Sequence, residues 1–267
     1  MTITPGRHPL LHHVRQGARW VGQDDYPSCS EVADEHERWL RFIDGKGELA
    51  RFLPRLRDRA AQRDDTLAEI AVGHLLEHHA ELPIVGWEPP GANGKTGEYL
   101  VRLPQGQDMF VEVKARGWEE EVVRVEGPRS PRLLQPKYLS AEARATAPWR
   151  SVRETVKKAY PKMDSTRPTM LVIHDDLFVA LNSWPLNTEI ALYTPKGKGS
   201  HQGGYLAEDG CFVGRSFERF GGVGVLNVDF PIEVGMARFR FSVYDNPNSL
   251  PAVAIPKTVF VGYLRRP

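Results

Sequence analysis

The chain has 267 residues, enough for one large domain or for a domain with an appendage, and its composition is ordinary for a soluble globular protein. Lys and Arg number 35 against 34 Asp and Glu, so any surface that binds nucleic acid must be a local one. No apolar run reaches the roughly 18 residues of a membrane span, the first residues lack the pattern of a signal peptide, and two cysteines are too few for a disulfide scaffold. We therefore expect a cytoplasmic protein with reduced thiols and no membrane partner.

The N-terminal part, residues 1–63, is predicted to be a helical appendage. Residues 1–30 have no regular pattern, whereas residues 30–63 combine a helical spacing of apolar side chains with many arginines. These arginines fit either a solvated helix face or a surface that contacts DNA.

Residues 64–180 are predicted to form the core of the molecule. A helix begins near Thr66, because Asp and Thr at 64–66 are good N-caps, and it ends before Pro83. Glu69 lies among apolar residues of this helix. Its carboxylate therefore belongs either to the helix surface or to the edge of a site.

Two strand-like runs, 98–103 and 109–115, follow, and a four-residue turn joins them into a predicted hairpin. Because side chains alternate along a strand, Glu112 and Lys114 share the face opposite the apolar residues of the second run. Glu98 opens the first run and adds a second carboxylate. Hydrolysis of a phosphodiester needs oxygen ligands for a hard divalent cation and a positive charge near the attacking water, and these residues supply both. Ordinary positions on a solvated strand face are the alternative explanation.

A basic stripe is predicted on the next helix, which spans residues 149–163 and precedes a buried strand at 169–176. The stripe fits either a solvated helix face or the rim of a nucleic-acid-binding surface. The candidate contacts on that rim are Arg116, Arg150, Arg153 and Lys157.

Residues 181–267 are predicted to form a β-rich extension packed on the core. Short β-like runs alternate there with many Gly and Pro residues. These runs cover residues 189–193, 222–228, 239–244 and 258–263.

A helix acid, a strand acid, an ExK strand, a basic helix and a buried strand follow one another between Glu69 and Asp176. This order resembles the PD-(D/E)xK, or restriction-endonuclease-like, nuclease superfamily. The resemblance covers about two fifths of the chain. It implies an α/β fold in which helices flank a central mixed sheet. One departure is Glu98, since the strand acid of the family is usually Asp.

The resemblance also implies roles for individual residues. Glu98 and Glu112 would bind Mg²⁺ or Mn²⁺, with the carbonyl oxygen of Val113 as a further ligand. Lys114 would be the catalytic cation, and Glu69 a supporting acid. We further expect that removing Glu112 costs little stability, because carboxylates gathered without a cation repel one another by about 1 to 4 kcal/mol per close pair.

The sequence thus predicts a Mg²⁺-dependent enzyme that hydrolyses phosphodiester bonds of nucleic acid, with DNA favoured over RNA. Both a homodimer and a subunit of a larger complex fit this prediction. Two alternatives remain open. One is a non-catalytic nucleic-acid- or protein-binding module that retains the nuclease fold, and the other is an unrelated α/β enzyme with its site near Asp175 and Asp176.

Overall fold

The computed structural model describes residues 8, 28–58, 60–115, 148–175, 184–200, 204–205, 208–229 and 238–266. In these residues helices pack on both faces of a seven-stranded mixed sheet, which confirms the α/β class predicted from the sequence. Within the same ranges, none of the helices has both the length and the apolar character needed to cross a membrane.

Three helices open the described chain and cover one face of the sheet. They are α1 (Ser28–Gly45), α2 (Leu49–Leu56) and α3 (Ala60–His74), and a π-helical turn, Leu75–His79, extends α3. Apolar side chains of all three helices share one core with the strands. Helices α1 and α2 are therefore part of the main layer of helices and not an appendage to it, because their apolar side chains pack on α3 and share its core.

The boundary predicted between residues 63 and 64 falls inside α3. Thr66, expected near an N-cap, lies in the helix interior, where it is fully buried and its hydroxyl donates to the carbonyl oxygen of Gln62 at 2.7 Å. A Thr hydroxyl satisfied by the preceding turn no longer competes with the helix. The capping residues seen in the sequence thus lie one turn after the true start.

The strands of the main sheet are β1 (Ile84–Trp87), β2 (Tyr99–Arg102), β3 (Asp108–Ala115), β4 (Thr169–Asp175), β7 (Gly222–Asp229), β8 (Arg238–Asp245) and β9 (Leu264–Arg266). The sheet begins with the antiparallel strands β1, β2 and β3, continues with β4 and β7 parallel to β3, and ends with β8 and β9. A separate pair, β5 (Gly199–Ser200) and β6 (Gly204–Tyr205), lies outside it.

Two further helices cover the other face of the sheet. They are α4 (Pro148–Ala159), which ends in a 3₁₀ turn at Tyr160–Lys162, and α5 (Trp184–Tyr193). The alternation along β3 divides its side chains between the two cores. Val111 packs on the side of α1 to α3, whereas Phe110 packs on the side of α4 and α5. By the same alternation, Glu112 and Lys114 point to the side of α4.

The C-terminal part differs from its prediction in three ways. Strands β7 and β8 join the central sheet beside β4, so they complete the core instead of packing on it. The run at 189–193 belongs to α5, because a short apolar run does not distinguish a strand from a buried helix. The run at 258–263 forms turns, in which Phe260 and Gly262 have φ angles of 60° and 94°.

Candidate functional site

Strands β2 and β3 part at the point where the candidate acids lie. Tyr99 pairs with Val111, and the Glu98 N–H donates to the Val111 carbonyl oxygen at 3.1 Å. Beyond this point β3 continues to Ala115, and the Val113 N–H donates to Oε2 of Glu98 at 2.8 Å. The side chain of Glu98 thus satisfies a strand amide that a buried position requires to be bonded. This bond holds its carboxyl group on the face that carries Glu112.

Glu112 lies at the centre of a cluster of four ionisable side chains. Its carboxylate is fully buried, and Nζ of both Lys114 and Lys162 lies 2.6 Å from its Oε1. Lys162 Nζ also lies 3.7 Å from Oε1 of Glu98. We call Glu98, Glu112, Lys114 and Lys162 the carboxylate–lysine cluster. The structure therefore brings together three of the predicted residues and adds a fourth.

Glu98 holds its proton more tightly than an ordinary carboxyl group does. Burial, a hydrogen bond with Glu112 and the charge of Glu112 raise the pKa of Glu98 to about 9, although both lysines act in the opposite direction. Two carboxylates that share a buried site do not both ionise readily. At neutral pH Glu98 is therefore protonated.

Lys114 remains charged in this environment. Burial opposes its charged form, but the charges of Glu112 and Glu98 together with the Glu112 hydrogen bond raise the pKa of Lys114 above its ordinary value. Lys114 is therefore positively charged at neutral pH.

Glu69 stands apart from the cluster. It belongs to α3, on the other side of the sheet, and its Oε1 accepts from Nη1 of Arg55 at 2.7 Å. Burial raises the pKa of Glu69, while Arg55 and, more weakly, Lys114 lower it. The structure thus places Glu69 within the electrostatic reach of Lys114, but Arg55 is the cation that binds it.

Sequence patterns do not single out Lys162, because it follows Pro161, where the helical spacing of the basic stripe ends. The connection between the strands does point to Lys162. The helix between two parallel strands returns the chain to the sheet, so its last turn lies close to the strands that it connects. Here α4 connects β3 to β4, and its terminal 3₁₀ turn carries Lys162.

The 3₁₀ turn that carries Lys162 is held in place by its neighbours. Asn93 Nδ2 donates to the carbonyl oxygen of Pro161 at 2.9 Å. Gly91 lies so close that a Cβ there would stand 2.5 Å from the carbonyl oxygen of Lys162. The 91–97 loop, which leads into β2, therefore fixes the backbone of the turn.

Two of the four residues of the predicted basic rim are paired with an acid. Arg116 lies outside the described residues. Arg150 is exposed, with its guanidinium 5.4 Å from the ring centroid of Trp149. Arg153 is buried and, like Lys157, pairs with Oε2 of Glu208, at 2.6 and 3.2 Å respectively.

A divalent cation fits the cluster by ligand type. Glu98 and Glu112 supply carboxylate oxygens, the ligands that Mg²⁺ prefers. Among the described residues, no group of three or more His, Cys, Asp or Glu side chains is placed to hold a metal. The protein would therefore supply two carboxylates, and water or substrate oxygens the other positions, which is common for Mg²⁺.

Asp175, which belongs to the alternative site predicted at the end of the buried strand, is the last residue of β4 and pairs in register with Asn227 of β7. Asp176 lies outside the described residues. The alternative site predicted at Asp175 and Asp176 therefore lies partly outside the described residues.

Comparison with protein-family models, with curated proteins and with solved structures finds no match to this chain. The resemblance to the PD-(D/E)xK nucleases thus depends on the residues and geometry of this chain.

Proposed function

We propose that this protein is a Mg²⁺-dependent nuclease of the PD-(D/E)xK type, which hydrolyses phosphodiester bonds of nucleic acid and acts on DNA in preference to RNA. The observation that carries the proposal is the meeting of Glu98 and Glu112 on one face of the sheet, where β2 and β3 part, with Lys114 Nζ 2.6 Å from Glu112. The chain order of α3, β2, β3, α4 and β4 supports it too, since it is the order of elements on which the resemblance rests.

The residues of the cluster have separate roles in this proposal. Glu98 and Glu112 would hold Mg²⁺ or Mn²⁺, which when bound lowers the pKa of a coordinated water and neutralises charge on the phosphate. Glu98 would release its proton as the cation binds, because a carboxyl ligand binds metal in its ionised form. Lys114, which is charged at neutral pH, would orient the attacking water and stabilise the negative charge that builds up on the pentavalent phosphate.

Glu69 has a smaller role in the proposal than the resemblance implies. Its carboxylate is bound to Arg55, and it would act on the site through the charge of Lys114. It would therefore influence the position of Lys114 and would not bind the metal.

A second candidate is a binding module that retains the nuclease fold without cleavage. The observation that favours it is Lys162, whose ammonium neutralises Glu112 as a metal ion would. Glu98 in place of the usual Asp also fits a site that has lost its activity. Such a module would bind nucleic acid or protein without a divalent cation.

A cleavage assay tests the proposal. Labelled single- and double-stranded DNA and RNA are incubated with the full chain in Mg²⁺, Mn²⁺ or EDTA. We expect metal-dependent cleavage that falls by at least about 100-fold in Glu112→Gln and in Lys114→Met, the usual scale for the loss of a group that stabilises a transition state. The matched control is Asp108→Asn, a carboxylate of the same strand that pairs with Arg102 outside the cluster.

The alternative outcomes of this assay are distinct. Equal cleavage by the wild type and by Glu112→Gln would identify a contaminating nuclease and remove the proposal. Binding of nucleic acid without cleavage in any metal would favour the binding module. In that case Arg150→Gln is expected to lower the salt dependence of binding by about one counterion, since each phosphate contact releases about one.

A further inference from the structure

Lys162 occupies the place where the two acids of the cluster meet. Its Nζ lies 2.6 Å from Oε1 of Glu112 and 3.7 Å from Oε1 of Glu98. A divalent cation that bound both carboxyl groups would need the same region. Its ligand distances to oxygen are shorter than these ion-pair distances, roughly 2.0 to 2.1 Å for Mg²⁺. Lys162 and the metal thus compete for the same oxygens.

We propose that Lys162 is a built-in counter-cation of the site, which occupies the metal position in the free protein and must move before a divalent cation binds. The inference rests on the proposed function, because it concerns the metal of that same site. Lys162 in this role is a positioning residue, which sets how tightly the metal binds.

The charge balance of the cluster supports this role. Two ammonium groups, Lys114 and Lys162, face the carboxyl groups of Glu112 and Glu98, so the cluster has its positive charge without a metal. A divalent cation added to this arrangement would meet two positive charges at close range. Repulsion between cations is strong in a buried site, and Glu112, which both would bind, is fully buried. Removal of one lysine should therefore favour the metal.

Access to Glu112 supports the role as well. The side chain of Glu112 has no exposed surface, whereas those of Lys114 and Lys162 are 32% and 22% exposed. A cation that approaches from solvent therefore meets the lysines before it meets the carboxylate. The backbone of the 3₁₀ turn is held by Asn93 and Gly91, so the displacement falls to the long side chain of Lys162 and not to the turn.

The effect on metal affinity differs from the effect on turnover. A neutral side chain at 162 would let the metal bind more tightly, but it would also remove a positive charge that stands ready to meet the phosphate once displaced. Lys162→Met is therefore expected to bind metal more tightly and to cleave more slowly. A residue that only stabilises the fold would not move the two readouts in opposite directions.

The experiment measures Mn²⁺ binding to the full chain by electron paramagnetic resonance of the free ion, without nucleic acid. Lys162→Met should bind Mn²⁺ tighter than the wild type by about tenfold or more, because one close positive charge has been removed. The matched control, Lys158→Met, removes an exposed lysine of α4 and should leave the affinity unchanged. The double variant Glu112→Gln/Lys162→Met should lose the gain, which locates the ion at the cluster.

Circular dichroism and thermal melting establish that each variant is folded, and Lys162→Ala serves as a second neutral variant if Lys162→Met does not fold. An affinity for Mn²⁺ equal to that of the wild type in a folded Lys162 variant would overturn the inference, as would a gain that persists without Glu112. The two proposals fail separately. A gain in Mn²⁺ affinity in Lys162→Met without cleavage by the wild type would contradict the proposed nuclease activity and support the counter-cation role of Lys162. Cleavage by the wild type with no gain in affinity would support the nuclease activity and contradict the counter-cation role.

Discussion

Two buried carboxylates of this protein each meet two cations, and the two clusters are built differently. Asp245, at the end of β8, receives Nη2 of Arg265 on Oδ1, and it receives Nε of Arg265 and Nζ of Lys257 on Oδ2, at 2.5 to 2.7 Å. The remaining donors of Arg265 bind the carbonyl oxygens of Ile255, Pro256 and Val259. In the carboxylate–lysine cluster, by contrast, both lysines meet the same oxygen of Glu112, and a second acid with a raised pKa lies beside it.

The difference distinguishes a structural ion pair from the exchangeable site that we propose. A guanidinium in a bidentate geometry matches a carboxylate, and here its other N–H groups are used as well. Lysine is a point charge on a flexible stem, and it gives up one partner for another more easily. Arg265 joins β9 to β8 through Asp245, whereas in the proposed function a metal or a phosphate would replace the cations of the carboxylate–lysine cluster.

The largest expected effect on stability is at Arg265. Arg265→Met should lower the free energy of unfolding by about 3 to 5 kcal/mol, because it leaves a buried carboxylate with one exposed lysine and three carbonyl oxygens without their donor. Urea unfolding measures the loss. The control is Arg266→Met, the next residue, whose pair with Glu189 is half exposed and should matter by less than about 1 kcal/mol. Equal losses in the two variants would contradict the comparison.

A smaller loss is expected at Glu112. Glu112→Gln should cost about 1 to 2 kcal/mol, because Glu98 can ionise in its place and pair with the lysines. The double variant Glu98→Gln/Glu112→Gln should cost more than the two single variants together, since both lysines then lose their carboxylates. Urea unfolding in EDTA measures the cycle, and additive losses would show that the two acids do not substitute for each other.

This expectation reverses the one drawn from the sequence. The sequence predicted that removing Glu112 costs little stability, because carboxylates without a cation repel one another. In the structure, however, both Lys114 and Lys162 pair with Glu112. Removing Glu112 therefore leaves positive charge without a partner.

The pH dependence of stability tests the protonated state of Glu98. Its pKa of about 9 in the folded protein lies above the ordinary value of 4.5. As the pH rises from about 5 to 9, the unfolded chain releases this proton while the folded protein keeps it, so the folded state loses stability. Glu98→Gln removes this loss, so its advantage over the wild type should grow steadily as the pH rises from about 5 to 8.

The measurement is urea unfolding at several pH values in EDTA, with Asp108→Asn as the control on the same strand. The difference between Glu98→Gln and the wild type should stop changing with pH below about pH 3.5, where both the folded and the unfolded state hold the proton. A difference that does not change with pH would mean that Glu98 is ionised in the folded protein.

The smallest effect is expected at Lys257. Its side chain is 76% exposed, and exposed ion pairs contribute less than about 1 kcal/mol, so Lys257→Met should leave the unfolding midpoint nearly unchanged. The same change at Lys114 should abolish cleavage. Measuring unfolding and cleavage on Lys257→Met and Lys114→Met compares one lysine from each cluster. A large loss of stability at Lys257 would mean that the Asp245 cluster also depends on its lysine.

The hairpin shows how much of the site the sequence predicts. Side chains alternate along β3, so Glu112 and Lys114 share a face whatever the rest of the fold does. A short turn sets the register of β2 against β3, which brings Glu98 opposite Glu112. Both facts follow from contacts between residues close in the chain, and the structure agrees with the pairing that they predict.

Contacts between distant segments were harder to predict. Glu208 lies 55 residues from Arg153, yet it pairs with it and with Lys157, so two of the residues predicted to bind nucleic acid are already paired. The apolar run of α5 reads equally well as a strand until its packing is known. In each case the deciding partner is remote in sequence.

The sequence by itself determined the hairpin, the face shared by Glu112 and Lys114, and the two layers of apolar residues that make an α/β sheet, because these depend on local periodicity. The tertiary structure decided that residues 28–63 belong to the core, that Glu69 is bound to Arg55, and that Lys162 stands between the two acids. These features depend on where a helix returns the chain to the sheet and on which charged side chains meet there. Neither property is encoded in the spacing of neighbouring residues.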